Sequence, residues 1–277
     1  MKILITGASS YVGARFYSDM KKNHDVIGTY NSNKLFPELE HLDITKRDKV
    51  VDFISHKKPD FIIHVAANAS GGWCDKNPEQ AVAINELGTK YIVEGANKVG
   101  AKIIFISSFA ANNIEQIYGR TKLKSEDYVK DTKAGYIILR PSLIVGYSPN
   151  TSNDRPFNRL LKNITDKTPA VYDTSWRFQP TWLSHLEEIV ELGITKNILN
   201  QTIPISTPEI KTRYDIAKDV LPEFGVMVAS EDKQDKTPVF ADNQSKLREL
   251  HLPVYTYSQM IDGLKKEISE FLKKRTE

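Results

Sequence analysis

Lys2-Ile3-Leu4-Ile5-Thr6-Gly7-Ala8-Ser9-Ser10-Tyr11-Val12-Gly13 opens the chain, and its reading decides the fold. A short apolar run that stops at a glycine reads as a buried strand. A turn bounded by Gly7 and Gly13 follows, and then a helical segment over about 14–22. Strand, glycine turn and helix in that order form the context a dinucleotide fingerprint requires. Gly7 permits the tight turn and Gly13 lets helix and strand pack closely. Ser10, Tyr11 and Val12 lie between them, where a helix N-terminus points its N–H groups at a pyrophosphate. Ser10 stands in the place of the pattern's middle glycine, and its Cβ restricts how closely the backbone approaches.

Outward from this turn, strands and helices alternate. Strands are predicted at 25–30, 61–65, 102–106 and 135–139, and helices at 47–56, 78–99 and 118–129. Such alternation belongs to an α/β fold, a Rossmann-type doubly wound parallel sheet. In these sheets ligands sit at the carboxyl ends of the strands. Gly7, Ala66-Ala67, Ser107-Ser108 and Arg140-Pro141 all fall at such ends. Small residues such as Ala66 and Ala67 allow a flat ligand close approach. His64, inside a strand, reads as a packed core residue. Asn85, in the middle of an apolar helix, either lies on the surface or bonds a neighbouring loop.

The end of the second strand bears on the choice of nucleotide. An acid there would suit the ribose 2′-hydroxyl of NAD. The chain instead has Thr29-Tyr30-Asn31-Ser32-Asn33-Lys34. Asn31, Ser32 and Lys34 are donors better suited to a 2′-phosphate, so NADP(H) is expected over NAD(H).

After Gly146 the composition turns polar and loop-like. The expected division is a nucleotide-binding domain over 1–146 and a smaller α/β substrate cap over 147–277, with some elements returning to the main domain. Helices are predicted there at 157–164, 186–199, 214–224 and 257–274. Arg155, Arg159, Lys162, Trp176 and Arg177 are candidates for contacting an anionic substrate, on charge and position.

Composition excludes several classes. The 277 residues carry 38 basic and 35 acidic side chains, a net charge of +3, which makes no case for a nucleic acid partner. Cys74 is the only cysteine, so no intramolecular disulfide forms, as suits a reducing cytoplasm. No apolar run approaches the ~18 residues of a membrane span. The N-terminus goes straight into a strand rather than a signal peptide, and no metal site is expected.

Tyr118-Gly119-Arg120-Thr121-Lys122 carries the chemistry. On a helix a phenol and an ammonium four residues apart share a face. An unperturbed phenol titrates near ~10. A nearby lysine charge favours the phenolate and lowers that value. Such a tyrosine exchanges a proton with a substrate oxygen.

Taken together, Thr6-Gly7…Gly13, Asp43-Ile44, His64-Val65-Ala66-Ala67, Asn77-Pro78-Glu79…Asn85…Gly88-Thr89, Ser107-Ser108, Tyr118…Lys122 and Leu139-Arg140-Pro141 resemble the extended short-chain dehydrogenase/reductase superfamily, in its order over residues 1–146. Gly28-Thr29-Tyr30, Trp73 to Pro78, Gln179-Pro180-Thr181 and the late Asp242-Asn243…Ser245-Lys246-Leu247 resemble its dTDP-4-dehydrorhamnose reductase branch. The resemblance implies an NAD(P)H-dependent oxidoreductase that reduces a carbonyl of a sugar or nucleotide-sugar. Tyr118 would be the proton donor, Lys122 would lower its pKa and hold the nicotinamide ribose, and Ser108, or its neighbour Ser107, would hydrogen-bond the carbonyl. Gly7, Ser10, Tyr11, Val12 and Gly13 would bracket the pyrophosphate. Asp43 and Ile44 would meet the adenine, Ala66 and Ala67 the dinucleotide backbone, and Pro141 and Ser142 the nicotinamide. A homodimer through the helices at 78–99 and 118–130 is implied by the same analogy.

Two departures from that branch touch the substrate. Phe109-Ala110-Ala111-Asn112 replaces its usual run after the serine, and only nine residues separate Ser108 from Tyr118. An NADP-binding regulatory subunit and a sugar epimerase of the same superfamily are the alternative readings. The intact Ser108, Tyr118 and Lys122 set favours an enzyme.

Overall fold

The computed structural model describes residues 1–276. Its strands are β1 (Lys2–Thr6), β2 (Asp25–Tyr30), β3 (Glu40–His41), β4 (Phe61–His64), β5 (Lys102–Ile106), β6 (Tyr136–Pro141), β7 (Ile144–Val145), β8 (Ala170–Asp173), β9 (Thr181–Trp182), β10 (Gln201–Ile205) and β11 (Val228–Glu231). Its α-helices are α1 (Tyr11–Met20), α2 (Arg47–Lys57), α3 (Gly71–Lys76), α4 (Pro78–Ala81), α5 (Gly88–Val99), α6 (Ile117–Lys130), α7 (Pro156–Asp166), α8 (Leu183–Thr195), α9 (Arg213–Val220), α10 (Ser245–Glu249) and α11 (Tyr257–Thr276). The chain divides into two compact units. The first comprises Met1–Pro141, Ser148–Asn150 and Val190–Ile203; the second comprises Ser142–Tyr147, Thr151–Ile189 and the chain from Pro204 onward.

The first unit is built on a seven-stranded sheet of order β10-β6-β5-β4-β1-β2-β3. The pairs β1/β2, β2/β3, β1/β4, β4/β5 and β5/β6 are all parallel. β4 is buried along its whole length, and β1 and β5 after their first residue, as strands covered on both faces must be. Leu4, Ile62, Ile103 and Ile138 from the sheet meet Val50 and Ile54 of α2 and Ile92 and Ala96 of α5 in one apolar cluster. The strand order reverses between β1 and β4, so the crevice outside their carboxyl ends is the ligand position for this topology. Gly7 stands there at φ +70°, and a Cβ on it would lie 2.9 Å from the Ala66 backbone.

The predicted continuous helix over 78–99 is interrupted. A π-helical turn, Val82–Leu87, separates α4 from α5. Such a turn carries one extra residue and frees a carbonyl from the regular ladder. The carbonyl of Asn85 accepts instead from the hydroxyls of Thr89, at 2.6 Å, and Ser125, at 2.7 Å.

The second unit has two small parallel pairings, β8 with β11 and β7 with β9. α7 starts with Pro156 in its first turn and buries Phe157, Leu160, Leu161 and Ile164. The spacing i, i+3, i+4, i+7 puts these on one face. α9 starts in a capping box between Thr212 and Asp215. α11 buries Met260, Leu264 and Ile268, again on one face. Beyond Gly146 the sequence leads to the expectation of a few brief strands without positions, and the structure places β8, β9, β10 and β11 there; β3 and β7, of two residues each, are too short for any periodicity.

Candidate active site

The site is assembled at the carboxyl ends of the first unit's strands. At the end of β1, Ser10 caps α1, its Oγ accepting the Gly13 N–H at 3.1 Å. Any Cβ at Gly13 would fall 2.2 Å from the carbonyl oxygen of Gly7, so the turn tolerates no side chain there. The first-turn N–H groups of α1 have no intrahelical carbonyl to bond, which suits an anion. Ser10 therefore takes up the Gly13 donor itself and keeps its hydroxyl proton to donate. The cradle fits the pyrophosphate of a dinucleotide.

Asn31, Ser32 and Lys34 lie exposed after β2, with the Lys34 ammonium 5.8 Å from the centre of the Tyr30 ring. Asp43 follows β3. Its Oδ1 accepts from the N–H and hydroxyl of Thr45, at 2.9 and 2.7 Å. Burial would raise this carboxyl, but the Thr45 hydrogen bonds with the charges of Lys46 and His41 outweigh it and hold the pKa below its ordinary value. Ile44 turns its side chain into the core cluster, against Gly88. Ala66, beside Gly7, donates its N–H to Thr6 Oγ1 at 3.3 Å.

His64 is buried between Thr6 Oγ1, 2.7 Å from Nδ1, and Thr89 Oγ1, 3.0 Å from Nε2. Burial first, and then the charge of Lys122, push its pKa down to about 3. It is a neutral core residue, as its place in the strand implies.

β5 ends in two serines that the structure distinguishes. Ser107 is buried, and its hydroxyl donates to Glu126 Oε1 at 2.5 Å. Ser108 is half-buried and its Oγ accepts from the Ala110 N–H at 3.1 Å, which starts a 3-10 turn, Phe109–Asn112. Its proton is left to donate elsewhere. This turn lies on the first turn of α6. A Cβ on Gly119 would meet the carbonyl oxygens of Asn113 and Ala110 at 2.0 and 2.3 Å. The short approach to Tyr118 thus depends on a glycine immediately after it.

α6 carries Tyr118 in its first turn and Lys122 one turn on. Asp75, from α3, accepts the Ile117 N–H at 3.2 Å and so caps this helix from 42 residues away. Lys122 is 2 % exposed. Its ammonium donates to the Ile106 carbonyl at 2.7 Å and stands 4.2 Å from the centre of the Phe105 ring. Burial lowers its pKa to about 7, and the Glu126 charge works in the opposite direction. Lys122 therefore docks α6 on the strand end that presents Ser108. Tyr118 is half-buried beside it on the same helix.

Four residues given no catalytic or cofactor role from the sequence hold this arrangement. Glu126, Arg140 and Asn112 form a chain of hydrogen bonds that also includes Ser107. Asn85 accepts the Asn68 N–H and donates to the Asn68 carbonyl and Thr121 Oγ1, so it bonds the loop after β4. The available signal for Glu126 was its spacing from Lys122, again one helical turn. Pro141 is buried at the end of β6, and Ser142, in the second unit, donates its N–H to Thr181 Oγ1 at 2.9 Å.

Comparison with known proteins follows the same lines. The chain is 28% identical over 158 residues to methionine adenosyltransferase 2 subunit beta of Xenopus tropicalis, covering 52% of this chain and 47% of that protein. It thus spans about half the length of that relative. It is 25% identical over 258 residues to the spore coat polysaccharide biosynthesis protein SpsK of Bacillus subtilis, covering 86% of each. The solved dTDP-4-dehydrorhamnose reductase of Bacillus anthracis, in complex with NADP, superposes with a TM-score of 0.81 at 20% identity, covering 97% of this chain and 99% of that one. The family described as RmlD substrate binding domain matches residues 1–261. With the parallel sheet, the glycine turn and the Tyr118–Lys122 helix in place, the chain belongs to that family, within the extended short-chain dehydrogenase/reductases.

Proposed function

We propose that this chain is an NADPH-dependent reductase of a carbonyl on a sugar or nucleotide-sugar. The observation that carries the reading is the docking of Lys122 on the Ile106 carbonyl, which brings the Tyr118 helix to the strand end bearing Ser108. A reduced nicotinamide held at this strand end would supply hydride to the carbonyl carbon. Tyr118 gives its phenolic proton to the carbonyl oxygen as charge develops there. Ser108 donates a hydrogen bond to the same oxygen. Lys122 in its charged form favours the phenolate left on Tyr118. The product is an alcohol, and Tyr118 regains its proton from solvent.

Gly7, Ser10, Tyr11, Val12 and Gly13 would hold the pyrophosphate, Asp43 and the backbone of Ile44 the adenine, and Ala66 and Ala67 the dinucleotide backbone. Pro141 and Ser142 would border the nicotinamide. Asn31, Ser32 and Lys34, with no acid among them, support NADP(H) over NAD(H).

The test is NADPH oxidation over a panel of keto-sugars and keto-nucleotide-sugars. Turnover of one class, lost in Tyr118→Phe, supports the reading. A second reading, a cofactor-binding regulatory subunit, is favoured by the likeness to methionine adenosyltransferase 2 subunit beta. It would be supported by NADPH binding with no turnover anywhere in the panel. An epimerase would interconvert sugar epimers without net NADPH consumption.

A further inference from the structure

Ser148-Pro149-Asn150 opens the polar stretch after Gly146, and the carbonyl chemistry does not use it. The segment belongs to the first unit, although Ser142–Tyr147 before it and Thr151–Ile189 after it belong to the second. Two hydrogen bonds tie it to the glycine turn, 137 and 141 residues away in sequence. The Ser148 hydroxyl donates to the Tyr11 carbonyl and the Asn150 Nδ2 donates to the Ser9 carbonyl, both at 2.6 Å. Ser148 is fully buried. Its Oγ also accepts the Asn150 N–H at 3.3 Å, which leaves its one proton to Tyr11. Pro149, between the two, has a fixed φ and no N–H, so the strap is stiff.

Each of these carbonyls shares a peptide group with the N–H of the next residue. The Ser9 carbonyl is joined to the Ser10 N–H, which donates to the Gly7 carbonyl at 2.8 Å and closes the turn. The Tyr11 carbonyl is joined to the Val12 N–H, in the first turn of α1, where no carbonyl lies one turn back to receive it. The Gly13 N–H beside it is taken by Ser10, so the Val12 N–H is left for an anion. A peptide whose oxygen accepts a hydrogen bond is polarised, and its N–H becomes a stronger donor.

We infer that Ser148 and Asn150 are positioning residues of the dinucleotide site, holding the glycine turn by its carbonyls and strengthening the Val12 N–H as a donor to the pyrophosphate. The inference rests on the reading that this turn holds a nicotinamide dinucleotide, and not on the role of Tyr118. The two side chains divide the work. Asn150 acts on the peptide that closes the turn, and Ser148 on the peptide that carries the donor. A strap that served the fold alone would act on every ligand of the first unit alike, by way of stability. A strap that sets the donors of the turn acts on ligands that carry the pyrophosphate.

The test is isothermal titration calorimetry of the full chain with NADPH, with NADH, and with adenosine and its 2′-phosphate, which keep the adenine end and lack the pyrophosphate. Ser148→Ala and Asn150→Ala are compared with wild type, and Thr151→Ala, at the exposed next residue, is the control. Each strap variant should bind the dinucleotide about three- to tenfold more weakly, the range for one hydrogen bond, while the adenosine ligands and the control stay within about twofold of wild type. Asn150 is only half-buried, so its variant reports binding even if Ser148→Ala proves unstable. NADPH should also slow amide exchange at Asn150 in the wild-type chain, since ordering the turn orders its strap. Dinucleotide affinities equal in wild type and both variants, or an equal loss for the adenosine ligands, would overturn the inference and leave the cofactor reading standing. A wild-type chain that binds neither dinucleotide would remove the cofactor reading, and the inference with it.

Discussion

Arg140 binds Glu126 through two parallel donors, Nε to Oε1 at 2.8 Å and Nη2 to Oε2 at 2.5 Å. The carboxylate is fully buried, and it also receives the Ser107 hydroxyl. One pair thereby ties the end of β6, the middle of α6 and the residue before Ser108. Breaking a buried pair from one side leaves a charge without compensation, at a cost of ~3–5 kcal/mol. Arg140→Met is expected to destabilise by about that amount in urea unfolding, by the same principle. The double variant Arg140→Met/Glu126→Leu should lose less than the two single variants summed. Simple additivity would show that the pair does not act as a unit.

Tyr118→Phe keeps the ring and removes the proton. If the phenol is the acid, turnover falls by ~10²–10⁴-fold, the range for a positioned general acid. Quenching of protein fluorescence by NADPH should give nearly the wild-type affinity. Retained turnover would remove Tyr118 from its proposed role.

Lys122 titrates at about 7 in the folded chain, chiefly because it is buried, against 10.5 for the ordinary side chain. Between those values the unfolded chain carries the extra proton. Stability from this group therefore rises with pH across that window, by at most about 1.4 kcal/mol per unit. Lys122→Met removes the contribution, so its stability gain over wild type should be largest below pH 7 and should shrink toward pH 10. A constant difference across that range, read from denaturant midpoints, would place the titration elsewhere.

His64 has the same sign at lower pH. Its folded value is about 3 and its ordinary value 6.5, so the unfolded chain takes up a proton that the folded one refuses. Stability is lost as pH falls from 6.5 toward 3. His64→Asn should flatten this limb of the unfolding profile while costing stability at neutral pH through its lost contacts to Thr6 and Thr89. An unchanged limb would assign the acid sensitivity to other groups.

Gly119→Ala tests the short approach to the tyrosine. Alanine favours a helix interior over glycine by ~1 kcal/mol. Against this, its Cβ would enter the space of two backbone carbonyls that cannot rotate away. Overpacking of this kind costs ~1–3 kcal/mol, so the variant should be net destabilised and the Phe109–Asn112 turn displaced. A melting temperature at or above wild type would mean that the turn yields freely.

The opening strand, the glycine turn, the alternation of elements and the Tyr118–Lys122 helix were legible from residue order alone. Each depends on neighbours within a few positions: an apolar run, a glycine, a helical period. His64 was legible as core for the same reason, since a strand flanked by apolar residues has both faces covered. The π turn at Val82–Leu87 was not, because the carbonyl of Asn85 is satisfied by Ser125, 40 residues away. Nor was the choice between Ser107 and Ser108. Adjacent strand residues point to opposite faces, and only the position of Glu126 shows which face is closed. The lysine was legible as a charged partner for the phenol on one helix face, but its burial was not. The sheet that buries it, and the Ile106 carbonyl that receives it, come from β5 and bring its pKa close to neutrality. Local sequence determined the elements and the residue types of the chemistry. Tertiary packing decided which groups are desolvated and what they bond, because both depend on chain segments distant in sequence.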